Sequence, residues 1–297
     1  MNSEELENYQ AIRSGETGFY EQKRGLIAVS GKEAVQFLNG LITNDVAKLE
    51  ENAQMEAAFP NAQGRLLASV RVLKKDGKFL FETEEATREK VFNNLFRFTF
   101  AGDFFVEDLS EKYKSFSVYN SKFAAQESET ITFAAKFGEE TFVPKESAEN
   151  FVSELKNQNA VEIFDEVYEV LRIENGIPKY ASDADETTIV PELGDEMISY
   201  NKGCYIGQEI IARIHFRGHV AKKLTGLVFE DENTEVKPGD ELKSLDGKSA
   251  GKITSAAFSP KLEKIIALAF VRYDYLAEGT ELKVGETTAA VKNLPFV

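Results

Sequence analysis

The chain is poor in several residue types, and each shortage excludes something. A single cysteine, Cys204, among 297 residues excludes an internal disulfide. It also excludes a metal cluster held by this chain's thiolates alone, since such clusters take about four. Tryptophan is absent, so the 23 phenylalanines must fill the large core positions. No apolar run approaches the ~18 residues that span a bilayer. The first ten residues are acidic and polar, with neither the apolar core of a secretory signal nor the Arg-rich character of a mitochondrial leader. A reducing cytoplasm is therefore the expected compartment, and no membrane partner is expected. Positive charge is also short, with 35 Lys/Arg against 50 Asp/Glu and a net charge of −15. Such a surface repels phosphates and argues against direct nucleic-acid binding through the whole surface. Dinucleotide and phosphate loops are missing too. Gly31-Lys32 lacks a correctly spaced upstream glycine, and Gly247-Lys248-Ser249 has Leu242 where the first glycine belongs.

What is present reads as an α+β chain. Ser30 and Glu33 predict a capping box for a helix over 30–39, with Val35, Leu38 and Ile42 on one face. Residues 66–73 and 79–83 read as strands joined by Asp76-Gly77, and 84–97 as a helix through Val91, Leu95 and Phe98. The Phe-rich stretch 98–106, broken at Gly102-Asp103, predicts a second hairpin. Short apolar runs over 116–142 suggest a small β insertion. Helices are expected over 147–155 and 165–175, the second with Val167, Val170 and Leu171 inward and stopped by Gly176 and Pro178. Residues 179–200 read as a long acidic loop, solvated or magnesium-binding through Asp183, Asp185, Glu186, Glu192, Asp195 and Glu196. Beyond Lys222, short strands punctuated by Pro238-Gly239, Asp246-Gly247 and Glu278-Gly279 predict a small antiparallel barrel or sandwich.

Chemistry concentrates in 202–223. Lys202, Arg213, Arg217, Lys222 and Lys223 face one acid, Glu209, leaving a local surplus of four positive charges in an acidic chain. The segment is either a solvated face or a dedicated anion site. Cys204 lies between Gly203 and Gly207, beside Lys202 and just ahead of a helix that starts near Gln208. A thiol so placed ionises more readily than a free one, and serves as nucleophile, redox sensor or one ligand to a shared cluster. The competing reading is a buried, inert thiol. Glu209 and Arg213, four apart, form a helical pair. Cys204, His215 and His219 do not make a zinc site, because Gly218 interrupts the helix that the histidine pair needs.

Residues 202–209 spell K-G-C-Y-I-G-Q-E, which resembles the K-G-C-Y-x-G-Q-E signature of the YgfZ family and its mitochondrial iron–sulfur relatives. Further blocks are similar to that family: Arg24-Gly25-Leu26-Ile27, residues 37–46, Gly64-Arg65-Leu66, residues 172–178, Ile189-Val190-Pro191-Glu192, Thr254-Ser255 and Ile266-Ala267-Leu268-Ala269. The family shares the fold of the glycine-cleavage T-protein, an aminomethyltransferase. The resemblance implies a three-domain α+β architecture around a central cavity, divided at 1–110, 111–220 and 221–297, with a C-terminal antiparallel β-barrel. It implies tetrahydrofolate or a one-carbon derivative as ligand, with no self-contained metal site. It implies partners in iron–sulfur cluster assembly or repair, including iron–sulfur enzymes that modify tRNA. Carried over by position, Cys204 is the candidate reactive or ligating thiol. Lys202, Gly203, Tyr205, Gln208, Glu209, Arg213, Glu174 and Arg172 are the candidate folate-binding set.

One departure separates this chain from the T-protein. Aligned on Gly64, Ala68 and Ser69 stand where that enzyme has paired aspartates. Without a placed acid, the ~10²–10⁴-fold contribution of proton transfer is missing. Three readings follow: a folate-dependent assembly factor without classical turnover, a folate-dependent one-carbon transferase, or a non-catalytic folate sensor that acts through a partner protein.

Overall fold

The computed structural model describes residues 1–121, 129–231 and 234–297, which form two compact units. The first comprises Met1–Phe164 and Glu196–Gln208, the second Asp165–Asp195 and Glu209–Val297. The chain has a mixed α/β architecture ending in a six-stranded antiparallel barrel.

The first unit opens with α1 (Ser3–Arg13), β1 (Gly18–Gln22), β2 (Arg24–Ser30) and α2 (Ala34–Leu41). It continues through β3 (Gln54–Pro60), β4 (Leu66–Lys75), β5 (Lys78–Glu84), α3 (Glu85–Phe96) and β6 (Phe105–Asp108). The elements β7 (Tyr113–Tyr119), β8 (Ile131–Ala135), β9 (Gly138–Pro144), α4 (Ala148–Asn157) and β10 (Val161–Glu162) complete it. One sheet has the order β3-β4-β5-β2-β6, the other β10-β1-β7-β9-β8. Along β4, Leu66, Ala68, Val70 and Val72 alternate inward, as period-two patterning requires. Asp76 and Gly77 both take positive φ, +52° and +71°, the geometry of a tight hairpin turn. The helix-covered core gathers Ile27, Val29, Leu38, Ile42, Val91, Leu95 and Phe104. Leu26, Ala28, Leu73 and Leu80 pack against Ile131, Phe133 and Phe142 of the other sheet.

Two local expectations need correction. The capping box at Ser30 and Glu33 does not form, because Ser30 ends β2 and no side chain caps α2. Glu33 instead accepts the Asp103 N–H at 2.6 Å, while its own N–H donates to the Asp103 carbonyl at 3.1 Å. That exchange also undoes the expected hairpin over 98–106. The segment closes on 31–33, and only β6 continues from it, paired antiparallel with β2. The expected insertion over 116–142 is instead β7, β8 and β9 of the second sheet, its residues 122–128 lying outside the described residues.

The second unit holds α5 (Asp165–Glu174), α6 (Gln208–Arg217, its first residue closing the first unit) and the closed barrel. The barrel strands are β11 (Lys222–Phe229), β12 (Glu241–Lys243), β13 (Ser249–Ser259), β14 (Lys264–Arg272), β15 (Glu281–Val284) and β16 (Thr287–Lys292). Leu227, Phe229, Ile253, Ala267, Ala269, Val271, Leu282 and Val291 fill its interior. Helix α5 ends as expected: Gly176 takes φ +65°, and its missing Cβ leaves room for Leu294. Among the described residues, no helix is long and apolar enough to cross a membrane.

Candidate functional site

The segment 196–208 is built into the first unit by sequence blocks far from it. Thr43, fully buried, donates its hydroxyl to the Met197 carbonyl at 2.6 Å and accepts the Ala58 N–H at 2.8 Å. The Ser199 N–H donates to the Thr43 carbonyl, and the Ile206 N–H to that of Gly40. Lys202 ties the segment down from its side chain. Its ammonium donates to the Asn44 carbonyl at 2.6 Å, the Ile42 carbonyl at 3.0 Å and Asn39 Oδ1 at 3.4 Å. It also lies 5.2 Å from the centre of the Tyr205 ring. Burial pushes the Lys202 ammonium down to about 8, against the opposing charge of Asp45. Burial pushes the Tyr205 phenol up to about 12.

The two glycines of the motif have different jobs. Gly207 has φ +79°, and a Cβ there would collide with the Asn61 carbonyl oxygen and reach Gly64 at 3.1 Å. Asn61 shapes its own turn by accepting the Gln63 and Arg65 N–H groups on Oδ1. Gly203 has open space where its Cβ would stand. Next to it Cys204 is exposed, which removes the buried, inert thiol from consideration. The Gln208 side chain accepts the Tyr205 N–H at 3.1 Å and closes the turn into α6. A pocket of about 360 Å³ lies beside this loop, lined by Asn44, Asp45, Lys48, Gln54, Met55 and Ser199 among others and by no side chain of 202–208.

The remaining candidates belong to the second unit. Glu209 and Arg213 form an exposed 2.7 Å ion pair along α6. Arg172 is buried, with its guanidinium shared among Glu169, Asp183 at 2.7 Å, the Ser255 hydroxyl at 2.9 Å and the Ile177 carbonyl. Asp183 is equally buried and also accepts the Thr254 and Ser255 hydroxyls, each at 2.6 Å. Glu174, fully buried, accepts the Ser259 hydroxyl, and its carbonyl takes the Phe296 N–H. The expected solvated acidic loop is thus wrong at Asp183 and Glu192. Both are buried, the first against Arg172 and the second accepting the Ile189 N–H at 3.1 Å. Among the described residues, no cluster of three His, Cys, Asp or Glu has metal-holding geometry. His219 stacks on Tyr273, and His215 meets Phe216 edge-on.

Sequence reasoning missed Asn39, Thr43, Asn44 and Asn61 as the supports of the loop. Asn39, Thr43 and Asn44 lie in the block 37–46 that resembles the family, whereas Asn61 precedes Gly64-Arg65-Leu66 and carries no sequence signal of its own.

Comparison with known proteins places this architecture. Residues 222–297 match the family model described as the glycine cleavage T-protein C-terminal barrel domain. An aminomethyltransferase of Thermoanaerobacter pseudethanolicus is 26% identical over 98% of this chain and 86% of the relative. A mitochondrial iron-sulfur cluster assembly factor IBA57 homolog of Mycosarcoma maydis is 29% identical over 69% of this chain and 55% of that protein. The crystal structure of glycine cleavage system aminomethyltransferase T from Bartonella henselae superposes with a TM-score of 0.87. It covers 98% of this chain and 89% of its own at 18% identity. The chain has the T-protein fold.

Proposed function

We propose that this T-protein-fold chain binds a reduced folate in the cytoplasm and supports iron–sulfur cluster assembly or repair, with Cys204 as the reactive or ligating thiol. The observation that carries this reading is an exposed thiol on a loop whose neighbours are pinned. Lys202 and Gly207 fix the loop, while Gly203 and Cys204 remain open. A fixed, accessible thiol suits transient ligation of a cluster passed between proteins, for which one thiolate of about four suffices. Similarity to an assembly factor and to aminomethyltransferases supports the two halves of the proposal.

The donor chemistry fits a folate in part. Arg213 offers a cation to the anionic glutamate tail, with Gln208, Glu209, Gly203 and Tyr205 beside it in sequence. The Glu174 carboxylate already accepts the Ser259 hydroxyl, so it meets the N–H edge of a pterin only by exchanging that bond. The Arg172 guanidinium is consumed by Glu169, Asp183, Ser255 and Ile177, so its part is to hold 177–183 in place for the ligand. Lys202 likewise acts through the loop it anchors. Iron–sulfur enzymes, those modifying tRNA included, are the proposed clients.

Calorimetry with tetrahydrofolates of increasing glutamate number tests the ligand. We expect affinity to rise with tail length, and absence of saturable heat with any reduced folate rejects it. The rival transferase reading draws on the relatives named aminomethyltransferase. Against it, Ala68 is buried in β4, and Ser69 carries only a hydroxyl while its carbonyl accepts the Thr83 hydroxyl at 3.0 Å. Release of methylenetetrahydrofolate from an aminomethylated lipoyl carrier above the uncatalysed rate would establish the transferase instead.

A further inference from the structure

The basic residues that follow Arg213 meet a second set that the sequence does not connect with them. Lys222 opens β11, Arg272 ends β14, and the two are directly paired across the antiparallel strands. Like charges in that position destabilise a sheet, so the barrel itself has no use for the pair. The Lys222 ammonium lies over the Phe270 ring, 4.3 Å from its centre, a cation–π contact that holds the half-exposed charge beside Arg272. Tyr273 follows at once, its N–H bound to the Ala221 carbonyl, and the His219 ring lies flat on it at 3.5 Å. Arg217, His219, Lys223 and Arg272 are exposed, as are Tyr273 (48%) and Phe216 (66%). Among the described residues, Arg217, Lys223 and Arg272 make no ion pair. The acids nearby are Asp185, held low first by Thr187 and then also by the charge of Lys222, and the exposed Asp274. Lys223, paired with the inward Val271, lies on the other face of β11, so Lys222, Arg272 and the exposed Arg217 are the cations set against these two carboxylates, on a chain that is −15 overall.

We infer that this face of the second unit docks an acidic segment of a partner protein, its carboxylates meeting Arg272, Lys222 and Arg217 and an apolar side chain covering Tyr273. The choice of occupant rests on charge. A nucleic acid brings one negative charge per nucleotide against a predominantly acidic surface. A second copy of this chain brings another −15. An acidic peptide needs only the local surplus of positive charge. This inference stands apart from the folate reading, and its primary probe is a peptide.

The probe is a fluorescein-labelled peptide of alternating Glu-Glu and Phe, followed by anisotropy against the full chain. Binding is expected to weaken about fivefold between 50 and 300 mM salt, as a partly exposed charged contact does. Arg272→Glu combined with Tyr273→Ala should lower affinity at least ~tenfold, in keeping with loss of an Arg and an aromatic anchor. Arg272→Lys with Tyr273→Phe should retain most of it, and circular dichroism melts of both variants confirm that they fold. Equal binding by the Glu/Ala variant, or by a peptide with Gln in place of Glu, overturns the proposal. So does tighter binding of oligothymidylate that is lost in the same variant, which assigns the face to nucleic acid. A tenfold loss of tetrahydrofolate triglutamate affinity in Arg272→Glu makes it the tail's subsite and overturns it equally.

Discussion

The loop 202–208 and the Arg172–Asp183 cluster both carry charged residues that read from sequence as ligand contacts, yet they are built in opposite ways. In the cluster every charge is answered from within: Arg172 by Asp183 and Glu169, Asp183 by two hydroxyls, Glu174 by Ser259. In the loop the charge is used as an anchor and the chemistry is left open beside it. The difference teaches that a charged residue in a shared motif marks a requirement, and the requirement can be the frame as much as the ligand. A buried pair costs more desolvation than it returns unless its geometry is complete, so it earns its place by fixing neighbours. An exposed thiol costs folding nothing and is free to serve chemistry.

The sharpest way to break this contrast is Asp183→Ala. Stranding the buried Arg172 charge should cost about 3–5 kcal/mol, seen as a lower urea midpoint. A loss under about 1 kcal/mol would show that the cluster is not the internal frame described. Next, Gly207→Ala forces a left-handed residue against a carbonyl and should cost about 2–4 kcal/mol, whereas Gly203→Ala should stay within about 0.5 kcal/mol. Equal effects would erase the division of labour between the two glycines.

Lys202 supplies a pH test. Its folded value, about 8, lies below the ordinary 10.5, so the charged form is disfavoured on folding. Stability should therefore rise with pH between about 8 and 10.5, where the unfolded chain still holds the proton and the folded one has lost it. Chemical denaturation across that window should show the rise in the parent chain and a flat profile in Lys202→Met. A rise of equal size in both would assign it to another group. The smallest effect on stability belongs to Cys204→Ala, expected within about 0.5 kcal/mol for an exposed side chain. The same variant should nevertheless fail to restore iron–sulfur enzyme activity in cells that lack the protein. Full complementation would favour the sensor reading.

Several features were legible in the residues themselves because their causes are local. Asp76-Gly77 specifies its turn through positive φ, Gly176 and Pro178 stop α5, and the turn spacing beyond Lys222 marks a small antiparallel barrel or sandwich, of which the structure is the closed barrel. The helix beginning at Gln208 and the Glu209–Arg213 pair follow from spacing alone. Tertiary structure decided whatever depends on a partner distant in the chain. Glu33 abandons its cap because Asp103, seventy residues on, offers a better donor. Asp183 leaves solvent because Arg172 and two barrel hydroxyls await it. Gly207 is required by a turn at Asn61, and Lys202 by carbonyls at 42 and 44. Spacing along a sequence cannot reveal these pairings, because a buried polar group takes whichever partner the folded backbone brings within about 3 Å.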